Sequence, residues 1–298
     1  MNKEILKSAN IYVGIDTLQV RSNSESKVAP SEAPYINKTI CLNANTRSYS
    51  YRLNPDKANN NLSIYNYFDY KKACSLMFKD MELENPVKTR IDFRVDSFDD
   101  NYEELAKLNK LIILLLSNCY KMRNRYQSID PLTLDNLCIR SQNNKLEVEN
   151  YNKALQEPMG EVKNRIEFRS KNLSDKDFDK EYNEFFKWCK RLDTAITKEN
   201  FSKLQKSANY YLVKEFHKEK ANEITLSEFL YKYKSNIWTR QQLIKLFDKL
   251  GSKNPTQQAN SYKQRKKIEY FSFRDLTFYV SMIKKAGENF FCTEEILK

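Results

Sequence analysis

The chain has 298 residues with 40% hydrophobic and 13% aromatic content, enough to bury a core in one large or two ordinary domains. Its 51 Lys and Arg against 39 Asp and Glu leave a net charge of +12, which favours a polyanionic partner. The longest apolar run, Leu111–Leu116, is far short of the roughly 20 residues that span a bilayer. The opening MNKEILKSAN lacks the apolar stretch of a signal peptide, so no membrane partner is expected and the location expected is cytoplasmic. The six cysteines are scattered with no C-x-x-C pair, which suits buried free thiols better than a disulfide scaffold or zinc site. The single histidine, His217, excludes sites built from two or three histidines and reads as a surface residue in KEFHKEK.

In chain order, NIYVGIDTLQVRS alternates at Ile11, Val13 and Ile15 and predicts a strand. Residues 22–36 are polar with two prolines and predict a loop, and a second strand follows near NKTICLNA. LSIYNYFDYKKACSLMFKDM mixes aromatic and helical signals. KTRIDFRVDS alternates throughout, with Ile91, Phe93 and Val95 opposite Arg90, Asp92, Arg94 and Asp96. A long apolar helix is predicted over 101–122, capped by Asp99 or Asp100 and packed beneath a sheet. Three further alternating stretches follow: TLDNLCIRS, KLEVENYNK and KNRIEFRSK.

Beyond about residue 172 the periodicity becomes helical. The predicted fold class is therefore α+β. An antiparallel sheet of about five strands with helices on one face forms a domain over 1–172, followed by a mainly helical domain over 173–298. In the latter, Gly251 suits a helix C-terminus and Pro255 a helix start. The helix after Pro255 carries Gln257, Gln258, Asn260, Lys263, Arg265, Lys266 and Lys267. Amides that read base edges, mixed with cations that hold phosphates, suit a DNA-recognition helix; a solvated basic helix is the plainer reading. Tyr262, Tyr270 and Phe271 fit core positions better than strand-stacking platforms.

If the alternating stretches share one sheet, their polar positions gather on one face. These are Asp92 with its arginines, Lys145, Glu147, Glu149 and Tyr151, and Arg165, Glu167 and Arg169. A solvated face of salt-bridged charges accounts for much of this pattern. Its acids inside a basic chain, and a tyrosine between two asparagines at one strand end, fit phosphoryl transfer as well. Carboxylates bind Mg²⁺ or Mn²⁺, arginines hold phosphate oxygens, and a tyrosine attacks phosphorus. Asp92, Glu147 and Glu167 are the best-placed metal ligands.

GIDTLQV, RIDFRVD, KLEVENYNKALQ and GEVKNRIEFRSK, in that order over roughly 11–172, resemble the Rep_trans family of rolling-circle plasmid replication initiators, to which some conjugative relaxases are related. The resemblance implies an enzyme that nicks and rejoins one strand at an origin through a phosphotyrosine link. It implies Tyr151 as nucleophile, with Lys153 and Arg169 at the phosphate. The partners then expected are double-stranded origin DNA with a single-stranded or cruciform nick site, a second copy in a homodimer, and a host helicase. A conjugative relaxase with the same chemistry, a noncatalytic DNA-binding regulator and an RNA-binding protein are the competing readings.

Overall fold

The computed structural model describes residues 10–43, 48–98, 102–124, 137–152, 162, 164–173, 180–220, 223–266 and 270–292. The fold is α+β. Its strands are β1 (Ile11–Ser22), β2 (Ile36–Asn43), β3 (Ser48–Leu53), β4 (Val87–Ser97), β5 (Arg123–Asn124), β6 (Leu137–Arg140), β7 (Leu146–Asn152) and β8 (Asn164–Lys171). They form one eight-stranded sheet in the order β2-β3-β1-β4-β8-β7-β6-β5, antiparallel at every pairing. The sheet is thus wider than the five strands expected. SYSYRL, read as part of no element, pairs with both β1 and β2, and the two-residue β5 is too short to leave a periodic signal.

The helices are α1 (Pro55–Ala58), α2 (Tyr67–Asp80), α3 (Tyr102–Tyr120), α4 (Lys180–Ala195), α5 (Lys198–Glu219), α6 (Leu226–Lys232), α7 (Arg240–Lys249), α8 (Pro255–Lys266) and α9 (Phe273–Phe291). The ambiguous aromatic stretch resolves as α2, whose N-cap Asn66 accepts from the Asp69 amide at 2.8 Å. No described helix is long and apolar enough to cross a membrane.

The apolar face of the sheet takes α3 over β6–β8, α4 over β4 and β8, and α9 over β1. Ile91, Phe93, Val95, Ile166 and Phe168 are buried there. Phe93 meets Phe185 of α4 at 5.5 Å between ring centroids, and Phe168 meets Trp188 at 5.2 Å. The Trp188 indole donates to Ser170 Oγ at 3.0 Å, so its polar edge is satisfied inside the core. Helix α9 returns to pack on β1 and α4. A Cβ on Gly287 would lie 2.0 Å from the Phe185 ring, so glycine alone lets α9 approach α4 this closely. Three buried polar side chains bind this layer together. Tyr279 of α9 donates to Asn109 Oδ1 of α3 at 2.8 Å, and Asn109 Nδ2 donates to Asn150 Oδ1 of β7 at 3.0 Å.

A second core lies among α5–α8, where Leu212, Phe229, Leu243, Leu246, Phe247, Ala259 and Tyr262 pack together. Gly251 has φ of 78°, the left-handed conformation that ends α7 before Pro255 opens α8. Tyr262 and Phe271 are buried core residues, as expected, and His217 is exposed.

Candidate functional site

The polar face of the sheet is built by strand register. Asp92 pairs with Arg169, Arg94 with Glu167 and Asp96 with Arg165 between β4 and β8. Glu147 pairs with Arg169, Glu149 with Glu167 and Tyr151 with Arg165 between β7 and β8. Because successive side chains alternate, all these residues share one face. They are not a solvated surface: Asp92, Glu147 and Glu167 are each 2% exposed or less, and Arg94 and Asp96 are fully buried. Part of the cover comes from α1 and the residues after it, which lie on this face. Asp56 of α1 bonds the Arg94 guanidinium, and Arg94 Nη2 donates to the Ile64 carbonyl at 3.2 Å. A Cβ on Gly14 would lie 2.6 Å from that carbonyl, so a side chain there would lift the cover away.

Arg169 holds the middle of the face. Its guanidinium lies 2.5 Å from Glu147, 2.6 Å from Glu149, 2.6 Å from Glu167 and 3.6 Å from Asp92. One cation shared by four carboxylates is held well above its ordinary pKa, burial notwithstanding, chiefly by Glu167, Glu149 and Asp92. Burial pushes Glu147 up, but bonds from Lys171 and Arg169 outweigh it and hold the carboxyl at about 2. Glu167 goes the other way. Burial, then the charge of Asp16, pushes it up to about 7 against the pull of Arg169. Burial also raises Asp92, although Arg90 donates to both its oxygens, at 2.7 and 2.5 Å.

The Tyr151 hydroxyl donates to Glu167 Oε1. Burial and the neighbouring Glu167 charge hold the phenol well above its ordinary pKa, so it is neutral as it stands. Glu167 is the group placed to accept its proton.

Asp16 and Cys138 join this face without having been singled out by sequence. The pairing of β1 with β4 shifts between Ile15 and Thr17, leaving Asp16 as the extra residue. Its carboxylate meets Arg165 Nη1 at 2.7 Å. Strict alternation places Asp16 opposite Ile15 but cannot place the bulge that aims it. Cys138 of β6 pairs with Glu149 of β7. The thiol, Glu147 and Glu149 form a group of ligand atoms lying within 4.8 Å of one another. Asp92, Glu147 and Glu167, by contrast, are arranged around the Arg169 guanidinium. The carboxylate oxygens suit a hard divalent cation, and the thiol is a softer ligand. Glu147 belongs to both sets.

Lys153 lies outside the described residues, as does Lys267. Of the helix α8 positions, Gln257, Gln258 and Asn260 are exposed while Ala259 faces the core. Arg240 of α7 donates to Asn260 Oδ1 at 2.9 Å. Lys263, Arg265 and Lys266 lie on the same helix, but their side chains are not among those described.

Neither the protein-family models nor the curated proteins contain a match to this chain. Among solved structures, it is similar to a rolling circle replication initiator protein from Geobacillus stearothermophilus, with 14% identity over 55% of this chain and 75% of that one, at a TM-score of 0.31.

Proposed function

We propose that this chain is a metal-dependent DNA nicking and joining enzyme that initiates rolling-circle plasmid replication, with Tyr151 as its nucleophile. The observation that carries the reading is the hydrogen bond from Tyr151 to Glu167 on a face that also gathers Asp16, Asp92, Glu147 and Glu149. The phenol gives its proton to the Glu167 carboxylate as Oη attacks phosphorus. The P–O3′ bond breaks, the 3′ oxygen leaves and takes up a proton, and the 5′ phosphate stays on Tyr151. Attack by a 3′ hydroxyl reverses these events and rejoins the strand. Arg169 and Lys153 are assigned to the phosphate oxygens.

Asp92, Glu147 and Glu167 are the proposed metal ligands, with Glu149 and Cys138 beside them. A Mg²⁺ or Mn²⁺ ion held there would polarise the phosphodiester and offset its developing charge. Residues 1–172 would carry the chemistry, and Gln257, Gln258, Asn260 and the cations of α8 would grip duplex DNA. A homodimer and a host helicase belong to the same proposal.

One observation favours the noncatalytic regulator: each of the four acids around Arg169 already has a cationic partner. A single assay separates the two. Supercoiled origin plasmid is incubated with protein and Mg²⁺ or Mn²⁺, and denaturing gels are read for relaxed product and a covalent adduct. Adduct from wild type but not from Tyr151→Phe supports nicking. Binding without relaxed product or adduct supports the regulator.

A further inference from the structure

The net charge of the chain is gathered in one part of it. Of 51 Lys and Arg and 39 Asp and Glu in all, residues 198–267 hold 16 and 6, so +10 of the net +12 falls on α5–α8 and their connections. The remainder, sheet included, is close to neutral. Like charges gathered this densely repel one another and cost stability, and the asymmetry points to a polyanion that offsets it. Three of these cations lie on α8, and five lie on α5.

Helix α5 is oriented by both cores. Phe201, Leu204 and Ala208 are buried in the core beneath the sheet, and Leu212 in the core among α5–α8. Toward α7, Gln205 Nε2 donates to Thr239 Oγ1 at 2.9 Å, and Asn209 Nδ2 donates to the Gln242 carbonyl at 3.0 Å. The helical period places Lys203, Lys206, Tyr210, Lys214, His217 and Lys218 on the opposite side, and all six are exposed. Tyr210, in the middle, is 71% exposed. Lys203 pairs with Glu199 at 2.6 Å and Lys218 with Glu215 at 3.2 Å, pairs worth little at a surface. Lys206 and Lys214 have no acidic partner among the described residues. The stripe runs about 22 Å from Lys203 to Lys218, at 1.5 Å per residue. No exposed position of α5 is Asn or Gln, so the stripe has no amide with which to read a base edge.

We propose that the outer stripe of α5 is a second duplex-binding surface, separate from α8, that grips backbone phosphates without regard to sequence. The ammonium groups take the phosphate charge, and the Tyr210 hydroxyl donates to a phosphate oxygen. A duplex is a straight rod with one phosphate per ~1.7 Å of axis, which suits a straight row of cations. A single strand would call for stacking surfaces, and Tyr210 is the one ring among the exposed positions of α5. Because the stripe faces away from α7, on which α8 packs, the helical part offers duplex two separate holds. The proposal rests on the DNA-binding part of the proposed function and not on nicking.

The test uses the whole chain without divalent cation, so that binding alone is read. Fluorescence anisotropy of two fluorescein-labelled blunt duplexes of unrelated sequence is followed across a salt series. Lys206→Gln/Lys214→Gln is expected to lower the slope of log affinity against log salt by about 1.8 on both duplexes, the worth of two phosphate contacts. Lys71→Gln/Lys72→Gln removes the same charge from exposed positions of α2 and should leave the slope unchanged. Thermal unfolding of both variants should match wild type, since Gln and Lys are similar helix formers. An unchanged slope in the α5 variant, an equal fall in the α2 variant, or a loss confined to one duplex overturns the proposal. An unchanged slope with lost binding to phosphatidylserine vesicles overturns it in favour of a membrane surface. If wild type binds neither duplex, the proposal falls together with the DNA-binding reading. If the slope falls as expected but Mg²⁺ or Mn²⁺ yields no adduct, the α5 surface stands and the nicking reading falls.

Discussion

Tyr151 donates its hydroxyl to Glu167, which lies diagonally across the β7–β8 ladder, two register positions from the Tyr151–Arg165 pairing. The carboxyl that receives this bond is pushed up to about 7 by burial and Asp16. It accepts a proton only when ionised, so the nicking rate should fall as pH drops through its pKa, which a bound divalent cation would hold below the metal-free value. Glu167→Gln should lower the rate by roughly 10²–10⁴ and remove that acidic limb, while DNA binding persists. Single-turnover nicking across pH checks both; a limb unchanged in Glu167→Gln would assign it to another group.

The same groups set opposing stability limbs in metal-free protein. Glu167 rises on folding from 4.5 to about 7, so its contribution is fully present below 4.5 and is lost as pH rises through 7. Glu147 falls from 4.5 to about 2, so its contribution is present above 4.5 and is lost as pH falls through 2. Denaturant midpoints measured from pH 2 to 8 should show Glu167→Gln flattening the upper limb and Glu147→Gln the lower one.

Arg169→Ala should destabilise the protein by about 3–5 kcal/mol, because four carboxylates lose their shared partner inside a buried face. Arg169→Lys should recover little, since a compact ammonium with three donors cannot span four acids as the planar, five-donor guanidinium does. Urea unfolding distinguishes these outcomes, and near-native stability in Arg169→Ala would mean that the acids are neutral there.

Gly287→Ala places a methyl within 2.0 Å of the Phe185 ring. A loss of about 1–3 kcal/mol is expected from overpacking. Phe185→Leu should relieve it, making the double variant more stable than the sum of the singles predicts.

On helix α8, Gln257→Ala and Asn260→Ala should each cost about 1–3 kcal/mol against origin duplex and little against unrelated duplex. Competition binding at fixed salt reads the difference. Equal losses on both would reduce α8 to a nonspecific basic helix.

The strands that carry the site were legible because each alternates without interruption: RIDFRVD and RIEFRSK needed only the period of two to separate their faces. What alternation could not supply was burial of the polar side. A charged strand face is ordinarily solvated, and only three-dimensional pairing reveals Arg94 and Asp96 as fully buried. The role of Asp16 was hidden for a related reason, since a bulge adds a residue without changing composition. SYSYRL was missed because a six-residue strand between loops offers too few positions to establish a period. Periodicity named the helices from 180 to the one that Pro255 opens, but α9 was not among them, and nothing in the sequence said that it would return to the first strand of the chain.

That return has a consequence for handling the protein. Asn150 precedes Tyr151, and its amide is reached from α9 through Asn109 and Tyr279. Truncating the chain before residue 273 would strip a hydroxyl from a buried amide pair and uncover the Phe185 ring that Gly287 lets α9 pack against. A shortened version made to isolate the sheet would therefore loosen the strand end that carries Tyr151, and its inactivity would say nothing about the nucleophile.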